Sequence, residues 1–159
     1  MIKVGDSVPD VKLYRMSEDG PEAMLSTEWF SDKYVVLFAV PGAFTPTCSI
    51  RHLPGYVEKS EEFRSKGVDS IACLSVNDVY VMDAWRRDQE VSDQIEMLAD
   101  GAGLFTKAAG FVLDLSGVGY GIRSIRYAMI VKDRMVTHLN VEESGKFEVS
   151  DAETILKLL

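Results

Sequence analysis

Apolar residues run almost unbroken from Tyr34 to Val40 (Tyr-Val-Val-Leu-Phe-Ala-Val), and again from Val68 to Val76 around Ile71-Ala72-Cys73-Leu74. Short continuous runs rich in β-branched and aromatic residues predict buried strands, covered on both faces. Between them the pattern loosens to a helical period from about Thr47 to Lys66. Leu53, Tyr56, Val57 and Phe63 form its apolar face, and Gly67 sits at the usual C-terminal stop. Pro54 lies inside this stretch and has no N–H for the Ile50 carbonyl, which predicts a kink there. Asn77-Asp78 caps a further helix with Val81, Met82 and Trp85 on one face, and Ile95 to Ala99 reads as a short third strand. Tyr127–Val131 and Met135–Val141 flank Lys132-Asp133-Arg134 as a β-hairpin. A last helix opens at Ser150-Asp151-Ala152-Glu153, where Ser followed three residues later by Glu predicts a capping box.

Strand, helix, strand, helix, then a hairpin and a closing helix predict an α/β fold with a mixed central sheet flanked by helices. A thioredoxin-like fold is the leading expectation and a flavodoxin-like doubly wound sheet the runner-up. The terminal hairpin favours the former, because the latter would continue in parallel βα units. No repeat, low-complexity tract or linker divides the chain, so residues 1–159 are expected to form one domain.

Composition narrows the function. Seventeen basic against 25 acidic residues leave a formal charge of −8, with no basic stripe for a phosphate backbone, so nucleic acid is not an expected partner. No apolar run approaches the roughly 20 residues that cross a bilayer. The Met1–Asp6 segment has neither signal-peptide nor transit-peptide character, which makes the cytoplasm the expected location. Two cysteines, Cys48 and Cys73, and two histidines, His52 and His138, would all be needed for one four-ligand cage, so neither metal nor other cofactor is expected.

The chemistry concentrates in Pro41-Gly-Ala-Phe-Thr-Pro-Thr-Cys48, where the first strand hands over to the helix. That carboxyl edge of an open α/β sheet is where ligands bind. Cys48 falls in the first helical turn, where free N–H groups and the helix dipole favour a thiolate. An ordinary thiol, with a pKa of about 8.5, must drop two units to be mostly ionised near neutrality, about 2.7 kcal/mol of differential stabilisation. A helix terminus supplies at most about 2 kcal/mol, so a second cation is expected. Thr45 occupies the first position of what would be a Cys-x-x-Cys motif, and Arg51 stands three residues after Cys48, which disfavours a dithiol–disulfide reductase. A hydroxyl cannot close a disulfide, but it can exchange hydrogen bonds with a small oxygen-bearing substrate.

Pro41-x-x-x-Thr45-x-x-Cys48, extended by His52-Leu-Pro-Gly-Tyr56, Lys66-Gly-Val68, Cys73-Leu-Ser-Val-Asn-Asp78, Leu98-Ala-Asp-Gly101 and Arg126-Tyr127, resembles the peroxiredoxin family, in particular its peroxiredoxin-5 or type II subfamily, over nearly the whole chain. The resemblance implies a thiol peroxidase that reduces hydrogen peroxide and small alkyl hydroperoxides through a cysteine sulfenic acid. Cys48 would be the peroxidatic nucleophile, Thr45 would hydrogen-bond the peroxide, Pro41 would shield the sulfur, and the N–H groups of Thr47 and Cys48 would help hold substrate. Arg126 would be the second cation. Thioredoxin, or glutathione with glutaredoxin, would be the reductant, and the enzyme would be a homodimer. A sensor that uses the same cysteine to signal is the alternative, separated by steady turnover with a thiol donor.

Cys73 follows Cys48 by 25 residues, about where some type II members carry a resolving thiol. Its other reading is a core residue of its strand, from which a disulfide would require the Cys48 turn to unwind. His52, four residues after Cys48, shares its helix face and admits two readings. One is a Cys–His hydrolase pair; the other is a neutral histidine hydrogen-bonded beside the pocket.

Overall fold

A computed structural model describes residues 1–159. Seven strands form a mixed sheet in the order β2-β1-β5-β4-β3-β8-β9. Its centre is the parallel trio β3 (Tyr34–Ala39), β4 (Ser70–Ser75) and β5 (Glu96–Ala99). The antiparallel hairpin β8 (Tyr127–Lys132) and β9 (Met135–Val141) extends it from β3. The hairpin β1 (Lys12–Ser17) and β2 (Gly20–Leu25) extends the opposite edge from β5. A separate two-stranded ribbon, β6 (Val112–Leu115) and β7 (Gly121–Ser124), leads into β8. This is the thioredoxin-like arrangement the pattern predicts; a doubly wound sheet has no terminal hairpin of this kind.

The central strands alternate cleanly between two cores. Val36, Phe38, Val40, Ile71, Cys73, Ala128 and Ile130 face one way, onto Tyr56, Phe63, Trp85 and Ile155 from the helices. Val35, Leu37, Ala39, Ala72, Leu74, Met129 and Val131 face the other, onto Leu13, Phe30, Phe105 and Phe111. A sheet buried on both sides explains why its strands read as unbroken apolar runs rather than alternating ones. Asp133 and Arg134 at the β8–β9 turn both have positive φ (44° and 68°), the geometry that matches the twist of a two-residue hairpin.

The expected single helix from Thr47 to Lys66 is corrected to three pieces. A wide π turn spans Cys48–His52, with the Leu53 N–H bonded to the Cys48 carbonyl. Then come α2 (Leu53–Glu58) and α3 (Ser60–Ser65), broken at Lys59. Pro54 follows the π turn directly within continuous helical backbone, so the irregularity covers Ile50, the residue whose carbonyl Pro54 leaves without an N–H. Asp78 caps α4 (Val79–Asp88) as expected, accepting from the N–H groups of Tyr80 and Val81. The last helix, α6 (Ala152–Leu156), is capped by Asp151 and not by Ser150: its carboxylate accepts from the Thr154 N–H and hydroxyl. Two short helices, α1 (Ser26–Trp29) and α5 (Leu104–Ala109), and the β1–β2 and β6–β7 hairpins complete the molecule.

Candidate active site

The segment from Pro41 to Thr47 leaves the carboxyl end of β3 and is held as a tight loop. The Ala43 N–H donates to the Asn77 side chain at 3.0 Å, and the Ser75 hydroxyl donates to the same oxygen at 2.6 Å, so the end of β4 braces the loop. Phe44 adopts a left-handed φ of 64° and projects outward, 52% exposed. A phenylalanine in that region is strained by roughly 1–2 kcal/mol. Helical geometry starts at Pro46, so Cys48 sits in the first turn as the pattern predicts.

Cys48 is fully buried. Its sulfur accepts a hydrogen bond from Arg126 Nη2 at 3.1 Å, across a sequence separation of 78 residues. Arg126 stands just before β8, the strand paired to β3, and this pairing carries the guanidinium to the Cys48 turn. Its other terminal nitrogen, Nη1, lies 2.8 Å from His52 Nδ1. A guanidinium can only donate, so Nδ1 must accept, and the ring proton resides on Nε2. That proton is donated to the Ser150 carbonyl at 3.0 Å, which also accepts from the Tyr56 hydroxyl at 2.7 Å. His52 is enclosed by the rings of Phe38, Tyr56 and Phe147. Burial first, and then the Arg126 charge, push its pKa down to about 3. The imidazole is therefore neutral with both nitrogens engaged, so it has no lone pair left to act as base toward Cys48. This rules out the Cys–His hydrolase pair and matches the other reading of His52.

Behind this chain lies Glu142. Its carboxylate accepts from the N–H groups of Glu148, Val149 and Ser150 and from the Ser150 hydroxyl. Burial would raise its pKa, but the Ser150 hydroxyl and these N–H groups outweigh it and leave the group below the ordinary carboxylate range. The Ser150 side chain that the spacing assigns to a helix cap thus serves Glu142. The backbone N–H of Glu142 in turn donates to the Arg126 carbonyl.

Thr45 donates its hydroxyl proton to the Gly42 carbonyl at 2.6 Å, which leaves its oxygen with lone pairs only. Two clefts meet over Pro41, Thr47 and Arg126. One, of about 530 Å³, is walled by Phe44, Thr45, Tyr120 and Arg123; the other, of about 250 Å³, by Arg51, Glu142 and Phe147. None of the chain's ion pairs involves Arg51, Arg123 or Arg126. A cleft of about 590 Å³ between β1, α4 and β5 is larger, but its cations are already paired: Arg15 with Glu22 and Glu96, Arg86 with Asp83. Size therefore does not select the site; the unpaired guanidiniums around a buried sulfur do.

The fold thus brings together Pro41, Thr45, Thr47, Cys48 and Arg126. Cys73, fully buried on β4 opposite Phe38 of β3, shares the Cys48 core but not this hydrogen-bond chain. Burial, and then the neighbouring Cys48, push its thiol well above its ordinary pKa. Sequence reasoning missed Asn77, Glu142, Ser150 and Phe147. Asn77 belongs to the Ser-Val-Asn-Asp run, whose pattern points only to a helix cap. Glu142 binds backbone N–H groups, Ser150 offers its carbonyl and Phe147 a ring face, and none of these leaves a motif.

The Redoxin family matches residues 3–156. Peroxiredoxin-2B of Arabidopsis thaliana is 47% identical, covering 99% of this chain and 98% of that one. The crystal structure of reduced Prx3 in complex with H2O2 from Vibrio vulnificus superposes with a TM-score of 0.96 at 51% identity, covering 99% of each chain. A Burkholderia cenocepacia structure described as a thioredoxin reductase has a TM-score of 0.98 at 49% identity and covers 100% of this chain and 98% of that one. That description does not transfer readily, since Thr45 and Arg51 stand where a Cys-x-x-Cys partner of Cys48 would be. Agreement over the full length, on a thioredoxin-like fold, places this chain in the peroxiredoxin family, within its peroxiredoxin-5 and type II group, as a thiol-dependent peroxidase.

Proposed function

We propose that Cys48 is the peroxidatic nucleophile and that its substrates are hydrogen peroxide and small alkyl hydroperoxides. The observation that carries this reading is the 3.1 Å hydrogen bond from Arg126 Nη2 to the Cys48 sulfur inside a closed, buried turn. A guanidinium with no acidic partner favours the thiolate and is positioned to stabilise charge on the departing oxygen. The relative from Vibrio vulnificus described with H2O2 supports the choice of substrate. The Cys48 thiolate attacks one peroxide oxygen, the O–O bond breaks, and the other oxygen leaves as water or an alcohol after taking a proton. Cys48 becomes a sulfenic acid. The Thr45 oxygen, its own proton on Gly42, accepts a hydrogen bond from the peroxide O–H, and the Thr47 and Cys48 N–H groups donate to the substrate. Pro41 covers the sulfur from solvent.

A second thiol then attacks the sulfenic sulfur and expels water, and a further thiol releases the disulfide, so each peroxide oxidises two thiols. Thioredoxin, or glutathione with glutaredoxin, fills that role, with Cys73 as candidate resolving thiol. The protein is a homodimer through the apolar rim around Phe44, Val118 and Tyr120, each more than half exposed; sedimentation tests this.

Rapid mixing with hydrogen peroxide tests the central reading. Trp85 donates to the hydroxyl of Ser49, the neighbour of Cys48, and its fluorescence reports the reaction. A fast change absent from C48S is expected. A rate at Cys48 no higher than that of free cysteine overturns the reading. Turnover with each donor in turn then identifies the reductant.

A further inference from the structure

We propose that His52 is a positioning residue of the peroxidase site: a neutral imidazole that clamps the Arg126 guanidinium onto Cys48 and is itself clamped by the Ser150 carbonyl. The inference rests on the reading of Cys48 as nucleophile and adds a residue to which that reading gives no part.

Arg126 lies just before β8 with no carboxylate partner, and a free arginine side chain samples many rotamers. Its grip on Cys48 therefore depends on what holds its second terminal nitrogen. That partner is His52 Nδ1 at 2.8 Å. An acidic residue there would hold the guanidinium more strongly, but it would also neutralise it beside the sulfur. A neutral acceptor fixes the direction of Arg126 and leaves its full charge for Cys48 and the departing oxygen. For the imidazole to accept at Nδ1 it must carry its proton on Nε2, and the Ser150 carbonyl is the acceptor that sets this tautomer. Glu142 holds Ser150 in turn through N–H and O–H donors. Phe38, Tyr56 and Phe147 confine the ring on its faces. Each link has one arrangement that satisfies every donor, so the chain from Glu142 to Cys48 is pre-set before peroxide arrives.

The two halves of the imidazole can be separated by substitution. In His52→Asn the side-chain oxygen falls near Nδ1, so the Arg126 contact survives and the Ser150 contact is lost. In His52→Gln the amide falls near Nε2, so the Ser150 contact survives and the Arg126 contact is lost. A third variant, Tyr56→Phe, removes the other hydrogen bond to the Ser150 carbonyl without touching Arg126. The second-order rate with hydrogen peroxide is read by stopped flow across pH, with thermal unfolding alongside. H52Q is expected to slow the reaction about 10- to 100-fold, the scale of one hydrogen bond to a charged group, and to move its pH midpoint upward. H52N retains most of the wild-type rate. Y56F lowers the unfolding temperature and leaves the rate and its midpoint in place. In an R126K background, H52Q adds nothing further, because the residue it acts through has gone. A wild-type rate in H52Q, equal slowing in H52N and H52Q, an equal effect of Y56F, or additivity with R126K overturns the proposal. C48S distinguishes the two levels. If wild type reacts no faster than C48S, the nucleophile reading fails and takes this one with it. If wild type is fast and H52Q matches it, only the role of His52 falls.

Discussion

Arg126 divides its terminal nitrogens between Cys48 and His52, and that division makes it irreplaceable by lysine. An ammonium is a point charge on a flexible stem and lacks the rigid planar fork that spans two separated partners. R126K is expected to lose about 10²- to 10³-fold in the second-order rate with peroxide, the cost of one preorganised donor at developing charge; stopped-flow mixing measures it. His52 carries a second consequence, in stability. Its pKa is about 3 in the folded chain against an ordinary 6.5, so below pH 6.5 the unfolded chain takes up a proton that the native chain refuses. The stability His52 contributes is complete above pH 6.5 and is lost as pH falls toward 3. Between pH 7 and pH 5 the loss is about 2 kcal/mol. Glu142, held low, adds its own loss only at more acid pH. Denaturant titrations at several pH values are expected to show this slope in wild type and a flat profile in H52N. Of these residues, Pro41, Thr45 and Cys48 were legible because they act within one turn of chain. Arg126 acts across 78 residues and was legible only through a family resemblance. Nothing in a linear pattern distinguishes it from Arg123, three residues earlier, which bonds the Pro41 and Tyr120 carbonyls instead.

At the scale of elements, the loop between β9 and α6 is the support most exposed to test. Residues 143–150 fold back on Glu142, which ties down three successive N–H groups and a hydroxyl. E142Q keeps one acceptor oxygen but turns an amide N–H2 toward donors. It is expected to cost roughly 2 kcal/mol and to lower the unfolding temperature by roughly 4–8 °C. Faster hydrogen exchange at Glu148, Val149 and Ser150 would locate the damage; unchanged exchange there would contradict this role. This loop is invisible in the sequence because its organiser is a side chain bonded to backbone, and the spacing of Ser150 to Glu153 points to a helix cap instead. The β3, β4 and β8 strands were plain because both faces are buried, which leaves only apolar residues. β1 and β2 were not: they lie at the sheet edge, where only Leu13 among their twelve residues is buried and no period survives. The break of the long helix at Lys59, five residues beyond Pro54, was likewise out of reach. The irregularity that Pro54 itself signals is the π turn on its N-terminal side, which contains Ile50.

For the molecule as a whole, the question is how a sulfenic acid formed at Cys48 is reached by a second thiol. Cys48 and Cys73 are both fully buried in one core. Cys73 lies in the middle of β4, bonded on one side to β3 opposite Phe38 and on the other to β5 opposite Met97. A central strand belongs to the most stable part of a sheet, whereas the turn after Pro41 has a strained Phe44, a π turn and a break at Lys59. Opening is therefore expected on the Cys48 side, by unwinding of that turn, with β4 staying in place. The Cys73 thiol, held protonated by its burial, becomes a good nucleophile only when water enters with the opening. The two steps should then respond differently to mild denaturant. Peroxide consumption, which needs the folded Arg126–Cys48 contact, should slow or hold steady as urea is added below the unfolding transition. Formation of a Cys48–Cys73 disulfide should accelerate, because urea raises the open population. Mass spectrometry of quenched samples separates the product with one added oxygen from the one that has lost two hydrogens. A disulfide that forms as fast as peroxide is consumed, and at a rate indifferent to urea, would mean that the two sulfurs meet without local unfolding. Absence of the disulfide at every urea concentration below the transition would leave resolution to an external thiol, with Cys73 a core residue.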